Sequence, residues 1–424
     1  MPRKLPPMLH PVEIAAAALL VAKIAGDTVL AAMNRREIAR NAPSVPPALS
    51  GVMDAPTYTK AVEYSLAKNA FGQWEELCEA AVLAALVFSG VLPRWLDAWT
   101  GLAGTAGWSQ ALWLVTVGLS MTLPGLPLDW WSTFRLEARF GFNNSTLRLW
   151  AADKVKGGLV ALVLATPLLW LVLSLVAWSG RWWWVWGFAS VLVFQLLVLV
   201  IYPLLILPLF NKLTPLPDGE LKAGLMALAD RAGFHARTIE VMDGSKRSGH
   251  SNAFFTGFGR FRRIVLFDTL IKQLTPAELE AVLAHEIGHY KRGHIPKMLA
   301  LSAAFLAAGF FSVDWLMRSP WFLGGFGFAP EAGAAPALLL VALLGGLATY
   351  WLSPLLNALS RRHEYEADAF ARDTVNGHAP LVGALRKLAE KNLTNLTPHP
   401  WFSTFHYSHP TLIEREQALV GPER

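Results

Sequence analysis

The sequence predicts an α-helical polytopic membrane protein: seven transmembrane helices, with a small α+β domain inserted between the fifth and sixth. Three observations lead there. Of the 424 residues, 54% are hydrophobic and only 16% charged, and mean hydropathy is +0.37. Soluble domains carry about 25% charge, so this balance excludes a conventional soluble enzyme. Apolar stretches long enough to span recur along the chain, and the longest polar stretch between them holds His285-Glu286-Ile287-Gly288-His289.

The spans fall at residues 12–32, 77–95, 108–128, 158–178, 183–210, 298–317 and 335–356. Each suffices for a hydrocarbon core about 30 Å thick. The first carries Lys23 and Asp27 and is too long and too charged for a cleaved signal peptide. Those two side chains, one turn apart, are expected to pair or to line a wet cavity. Eighteen tryptophans suit the membrane–water boundary. Loops 33–76, 129–157 and 211–297 and the tail from 357 hold 31 of the 37 Lys and Arg, whereas Arg3, Lys4, Arg94, Arg181 and Arg318 lie on the other side. The positive-inside rule then puts the amino terminus outside and the carboxyl terminus in the cytoplasm. It also accounts for the sequence pI of 9.4 without nucleic acid. Cys78 stands alone, which excludes an internal disulfide and a cysteine-ligated metal. The chain divides into 1–210 (spans one to five), 211–297 (the insert), 298–356 (spans six and seven) and 357–424 (a cytoplasmic tail).

Within the insert, residues 219–233 read as a short amphipathic helix, and Thr238–Met242 and 264–267 alternate as strands. Residues 249–257 (GHSNAFFTG) form a further extended segment between glycine turns. These are expected to make a small antiparallel sheet. Thr275-Pro276-Ala277-Glu278 is a capping box that starts the motif helix, and Gly293 is suited to end it.

Histidines four apart lie on one helical face, so His285 and His289 can reach one Zn²⁺. Glu286 points toward the open coordination position, where it can take a proton from the water that the metal activates. The third ligand comes from residues 360–370 (SRRHEYEADAF), where Glu364 and Asp368 share a helical face. Glu364 completes a His₂Glu set, and Asp368 serves as the acceptor that fixes the tautomer of a ligating histidine. His363 and Glu366 point elsewhere, and His294 reads as an interfacial residue. The stretch 252–255, with Asn252, Ala253 and Phe254, can present a free strand edge to a peptide, or simply pack its phenylalanines. In 407–416 (YSHPTLIERE), His409 is a candidate transition-state hydrogen-bond donor, with Arg415 close by. The polar insert is thus read as a zincin-like catalytic domain.

These motifs together resemble the CAAX prenyl protease 1 (Ste24) family of integral-membrane zinc metallopeptidases, within the M48 gluzincins. Besides the zinc motif, the resemblance rests on 58–68 (YTKAVEYSLAK), 126–137 (LPLDWWSTFRLE), 141–154 (GFNNSTLRLWAADK), 250–255 (HSNAFF), 263–270 (RIVLFDTL) and the two tail motifs. It covers nearly the whole chain. The resemblance implies a hydrated chamber enclosed by seven helices, with His285, His289 and Glu364 as ligands and Glu286 as base. It also implies substrate or transition-state contacts at Asn252, His409 and Arg415. His363 and Glu366 depart from the family, where an aromatic and a glutamine are common.

The expected function is zinc-dependent hydrolysis of a peptide or protein at the cytoplasmic face, with removal of residues after a prenylated cysteine. A membrane quality-control protease of the heat-shock M48 type is one rival; a transporter or channel with structural zinc is another. A bacterial cytoplasmic membrane is preferred to the endoplasmic reticulum on Ala/Leu/Trp richness and a short tail. The chain is expected to act as a monomer within the lipid bilayer.

Overall fold

The computed structural model describes residues 10–234, 236–256 and 263–421. The expectations resting on Arg3, Lys4, Gly257, the Phe255 side chain and the last three residues lie outside what is described.

Helix α1 (Pro11–Asn41) opens on a capping box in which His10 accepts the Val12 amide and Glu13 reaches back to the cap. Helix α2 (Ala55–Phe88) runs alongside it. Span two departs from expectation. Gly90 takes a left-handed φ of +68°, so the chain breaks there and α3 (Val91–Ala103) leaves at 61° to α2. Helix α4 (Gly107–Thr122) continues through a 3₁₀ turn at Pro124 and a π turn at Ser132–Glu137, near prolines that cannot donate to the ladder. Helices α5 (Leu147–Ser179) and α6 (Trp183–Ile201) follow, with Gly180 at φ +55° between them.

By length and apolar composition the described residues hold five spanning helices, or six if the bent pair is one span. The stretch Leu147–Phe210 is 64 residues long and contains both spans expected at 158–178 and 183–210. Its halves α5 and α6 pack against one another, as two spans joined by a tight reversal would. A single straight helix of that length would reach about 96 Å, three bilayer cores.

The insert builds strands β1 (Leu213–Pro215) and β2 (Thr238–Met242), with helix α7 (Glu220–Arg231) between them, then β3 (Ala253–Thr256) and β4 (Arg263–Phe267). The sheet is mixed, not antiparallel. Its order is β1-β2-β4-β3, and β2 pairs with β4 in parallel, Ile239 opposite Ile264. The connection from residue 243 through β3 is long enough for that crossover. It leaves β3 at the sheet edge, with one side paired to β4.

The motif helix α8 (Pro276–Lys291) begins at the Thr275–Glu278 capping box and ends before Gly293 at φ +66°. Next come α9 (His294–Met317), α10 (Ala334–Thr349), α11 (Ser353–Thr374), α12 (Ala379–Lys391), α13 (Pro400–His406) and α14 (Leu412–Val420). One core joins insert and tail: Leu225, Ile239, Leu266 and Ile287 are buried with Ala371, Leu381 and Leu419. The described residues of 211–297 and 357–421 therefore share one apolar core. Gly288 lets α8 and α11 approach closely, since a Cβ there would lie 3.0 Å from the Ala367 Cα.

Candidate metal centre and active site

Helix α8 supplies two imidazoles and α11 one carboxylate, and their close packing brings the three together. His285 Nε2 and His289 Nε2 are 3.2 Å apart. Glu364 Oε2 lies 3.5 Å from the first and Oε1 3.3 Å from the second. The three donor atoms fall within 4.8 Å of one another, the only such grouping of three among the described residues.

The surroundings fit a cation at their focus. Glu364 Oε2 is buried and accepts no hydrogen bond; His285 Nε2 at 3.5 Å and Arg415 Nη1 at 3.8 Å are near it, and a cation at the focus would satisfy it more fully. His285 Nδ1 lies 2.8 Å from Asp368 Oδ1, so its proton belongs there and its Nε2 lone pair faces the focus. Two imidazole lone pairs and a carboxylate directed at one point suit a divalent metal with nitrogen and oxygen ligands. Burial opposes a positive charge at His285, but Asp368 and Glu364 outweigh it, so the carboxylates around this focus favour a cation there. Burial pushes the Glu286 carboxyl above its usual value, against the pull of His285 and His289.

Glu286 lines two cavities flanking this group. One, of about 190 Å³, is bounded by Asn252, Ala253, His285, Glu364, His409 and Arg415. The other, of about 570 Å³, contains Phe254, His289, His294, His363 and Glu364. The edge strand β3 passes between them, with Asn252 and Ala253 on one side and Phe254 on the other. His250, two residues before Asn252, anchors that strand. Its Nε2 is 3.3 Å from Glu137 Oε2 in the π turn, and its Nδ1 is 3.1 Å from Oδ1 of Asn392, which caps the end of α12.

His409 Nε2 lies 3.5 Å from Glu364 Oε1, and most of its side chain is open to the cavity. Helix α13 leads into it and is pinned by Asn357, which donates to the Phe405 carbonyl, and by Arg361, which donates to the Tyr407 carbonyl. Arg415 is more committed than a substrate contact would be. Its Nε and one Nη donate to Asp368 at 2.8 and 2.5 Å, leaving the other Nη 3.8 Å from Glu364. Lys23 pairs with Asp27 at 3.0 Å and with Glu76 of α2, and all three line a separate cavity of about 370 Å³.

Sequence reasoning misplaced His294. It is buried, and its Nδ1 lies 3.0 Å from His289 Nδ1. Glu366 and His363, set aside as pointing elsewhere, both touch it. Gly288 was read only as a motif letter. The one available signal was its position between two candidate ligands on a packed helix face.

Apolar spanning helices around a His–Glu–His helix, with a glutamate brought from a later helix, define a membrane-embedded metallopeptidase. Comparison with known proteins agrees. Residues 34–212 match the family model "CAAX prenyl protease N-terminal, five membrane helices", and residues 215–423 match "Peptidase family M48". The chain belongs to the M48 peptidase family, in its CAAX prenyl protease branch. CAAX prenyl protease 1 of Saccharomyces cerevisiae is 36% identical over 411 residues, 88% of each chain. The Homo sapiens homolog is 33% identical over 438 residues, covering 93% of this chain and 92% of its own. The crystal structure of S. mikatae Ste24p superposes with a TM-score of 0.89 at 33% identity, over 96% of this chain and 99% of that one.

Proposed function

We propose that this metallopeptidase uses one Zn²⁺, held by His285, His289 and Glu364, to cut a prenylated CaaX-type peptide at the cytoplasmic face. The convergence of three donor atoms within 4.8 Å, one of them on a buried Glu364 carboxylate with an oxygen that accepts no hydrogen bond, beside Glu286, carries the reading. A bound zinc supplies Lewis acidity, making a water nucleophilic near neutral pH and polarising a scissile carbonyl.

The chain's own residues do the rest. The free edge of β3 can align an extended peptide by backbone hydrogen bonds, with Asn252, Ala253 and Phe254 beside it. Glu286 removes a proton from the attacking water and returns it to the leaving amine. Its burial keeps its basicity suited to that exchange. His409 Nε2 donates to the carbonyl oxygen as negative charge develops on it. Asp368 fixes the His285 tautomer, and Arg415 braces Asp368. The prenylated substrate is supported by the names of the relatives, and the cytoplasmic face by the lysine and arginine distribution.

Matched farnesylated and unmodified peptides, incubated with detergent-purified protein and mapped by mass spectrometry, test the proposal. Cleavage next to the lipidated cysteine, blocked by a zinc chelator, is expected. Equal cleavage of both peptides would discard the lipid requirement, and cleavage indifferent to the chelator would discard the metal.

A further inference from the structure

Helix α11 presents three carboxylates, Glu364, Glu366 and Asp368, two residues apart. Glu364 and Asp368 share a face; Glu366 stands roughly 200° around the helix from Glu364 and cannot meet the same imidazoles directly. It meets His294 instead. His294 is the first residue of α9, turned back toward α8 by Gly293 in its left-handed conformation. Its Nε2 lies 3.1 Å from Glu366 Oε2, and its Nδ1 lies 3.0 Å from His289 Nδ1. Its ring stacks on His363 with centroids 4.0 Å apart and planes 13° from parallel. Arg362 Nε donates to the other Glu366 oxygen at 3.0 Å.

The donor and acceptor inventory assigns the protons along this chain. An ionised carboxylate only accepts, so His294 Nε2 carries the hydrogen donated to Glu366. The Nδ1 of a neutral His294 is then an acceptor, and His289 Nδ1–H must donate to it. That leaves the His289 Nε2 lone pair facing His285 and Glu364. This is the tautomer a metal ligand needs.

We propose that His294 and Glu366 are positioning residues that set the ring orientation and tautomer of His289, as Asp368 does for His285. A single helix thus supplies one ligand directly, one orienting carboxylate for the first histidine, and one that acts on the second through a third histidine. The stack on His363 holds the intermediary in plane. The inference rests on the metal reading above.

The test measures Zn²⁺ affinity of the full-length, detergent-purified chain by competition with a chromophoric chelator, together with the visible spectrum of the Co²⁺-loaded protein. His294→Phe keeps an aromatic ring for His363 but removes the acceptor; Glu366→Leu keeps bulk but removes the carboxylate. Both are expected to weaken metal binding roughly 10- to 100-fold and to alter the Co²⁺ spectrum, with Glu366→Gln intermediate. A purely structural role would lower thermal stability of the metal-free protein without changing the affinity or spectrum of the folded fraction, and that result overturns the proposal. Should His294→Phe fail to fold, Glu366→Gln and Glu366→Leu decide on the same measurements. Asp368→Asn separates the two levels of inference. If it weakens binding while the His294 and Glu366 variants do not, the positioning proposal alone fails. If the unmodified chain binds no zinc, the metal reading fails with it.

Discussion

Glu286 and His409 line the same cavity beside Glu364, yet neither belongs to the three-donor group. That separation makes the base assignment testable without disturbing the metal. Glu286→Gln keeps the shape and is expected to retain bound zinc while kcat falls by about 10²- to 10⁴-fold. Metal content by atomic emission and turnover on one sample check it; substantial remaining activity would remove Glu286 from the role of base. The ligand pair was legible because two residues four apart share a helical face whatever surrounds them. Glu364 was legible for a related reason, its i,i+4 partner Asp368. His294 was not. Its role depends on the turn at Gly293 folding α9 back onto α8, and on a carboxylate 72 residues later meeting its far nitrogen.

The motif helix was the most predictable element, since Thr275, Pro276, Glu278 and Gly293 mark both of its ends locally. Its packing carries two expectations. Gly288→Ala would place a Cβ 3.0 Å from the Ala367 Cα and 3.1 Å from its carbonyl oxygen. Neither is the end of a flexible side chain, so α11 must move, at a cost of about 1–3 kcal/mol. Because Glu364 rides on α11, zinc affinity should fall along with the melting temperature. Loss of neither would show that the two helices tolerate a wider spacing. The second expectation concerns pH. Glu278 is partly desolvated, which opposes its charge, but Lys387 at 2.7 Å and the Thr275 cap hold its pKa below the ordinary glutamate value of 4.5. A folded-state pKa below the unfolded one gives stability that is complete above about 4.5 and disappears as pH falls through the folded value. The melting difference between wild type and Glu278→Gln should therefore shrink on acidification below that point; a constant difference would assign it to packing. Other elements were less legible. Span two bends because Gly90 is left-handed, and the sheet is mixed because a ten-residue stretch before β3 lets β4 return parallel to β2. Composition and alternation carry neither direction nor register.

Across the molecule, the proposed metal ligands join two segments separated in sequence by the spans α9 and α10. A cation bound there holds α8 to α11 and counts as folding free energy. With free zinc at 100 times its Kd, the folded state should gain about 2.7 kcal/mol. Thermal melts in detergent with zinc or with excess chelator should differ accordingly. Identical melting curves would mean that the two segments hold together without metal.

Membrane residence, the helical motif and the candidate ligand pair on it follow from composition, periodicity and spacing, which act over a few turns of chain. The mixed sheet, the union of insert and tail in one core and the path from His289 to Glu366 do not. Each depends on groups far apart in sequence becoming neighbours, and only the packing of the whole chain determines which buried polar group meets which partner.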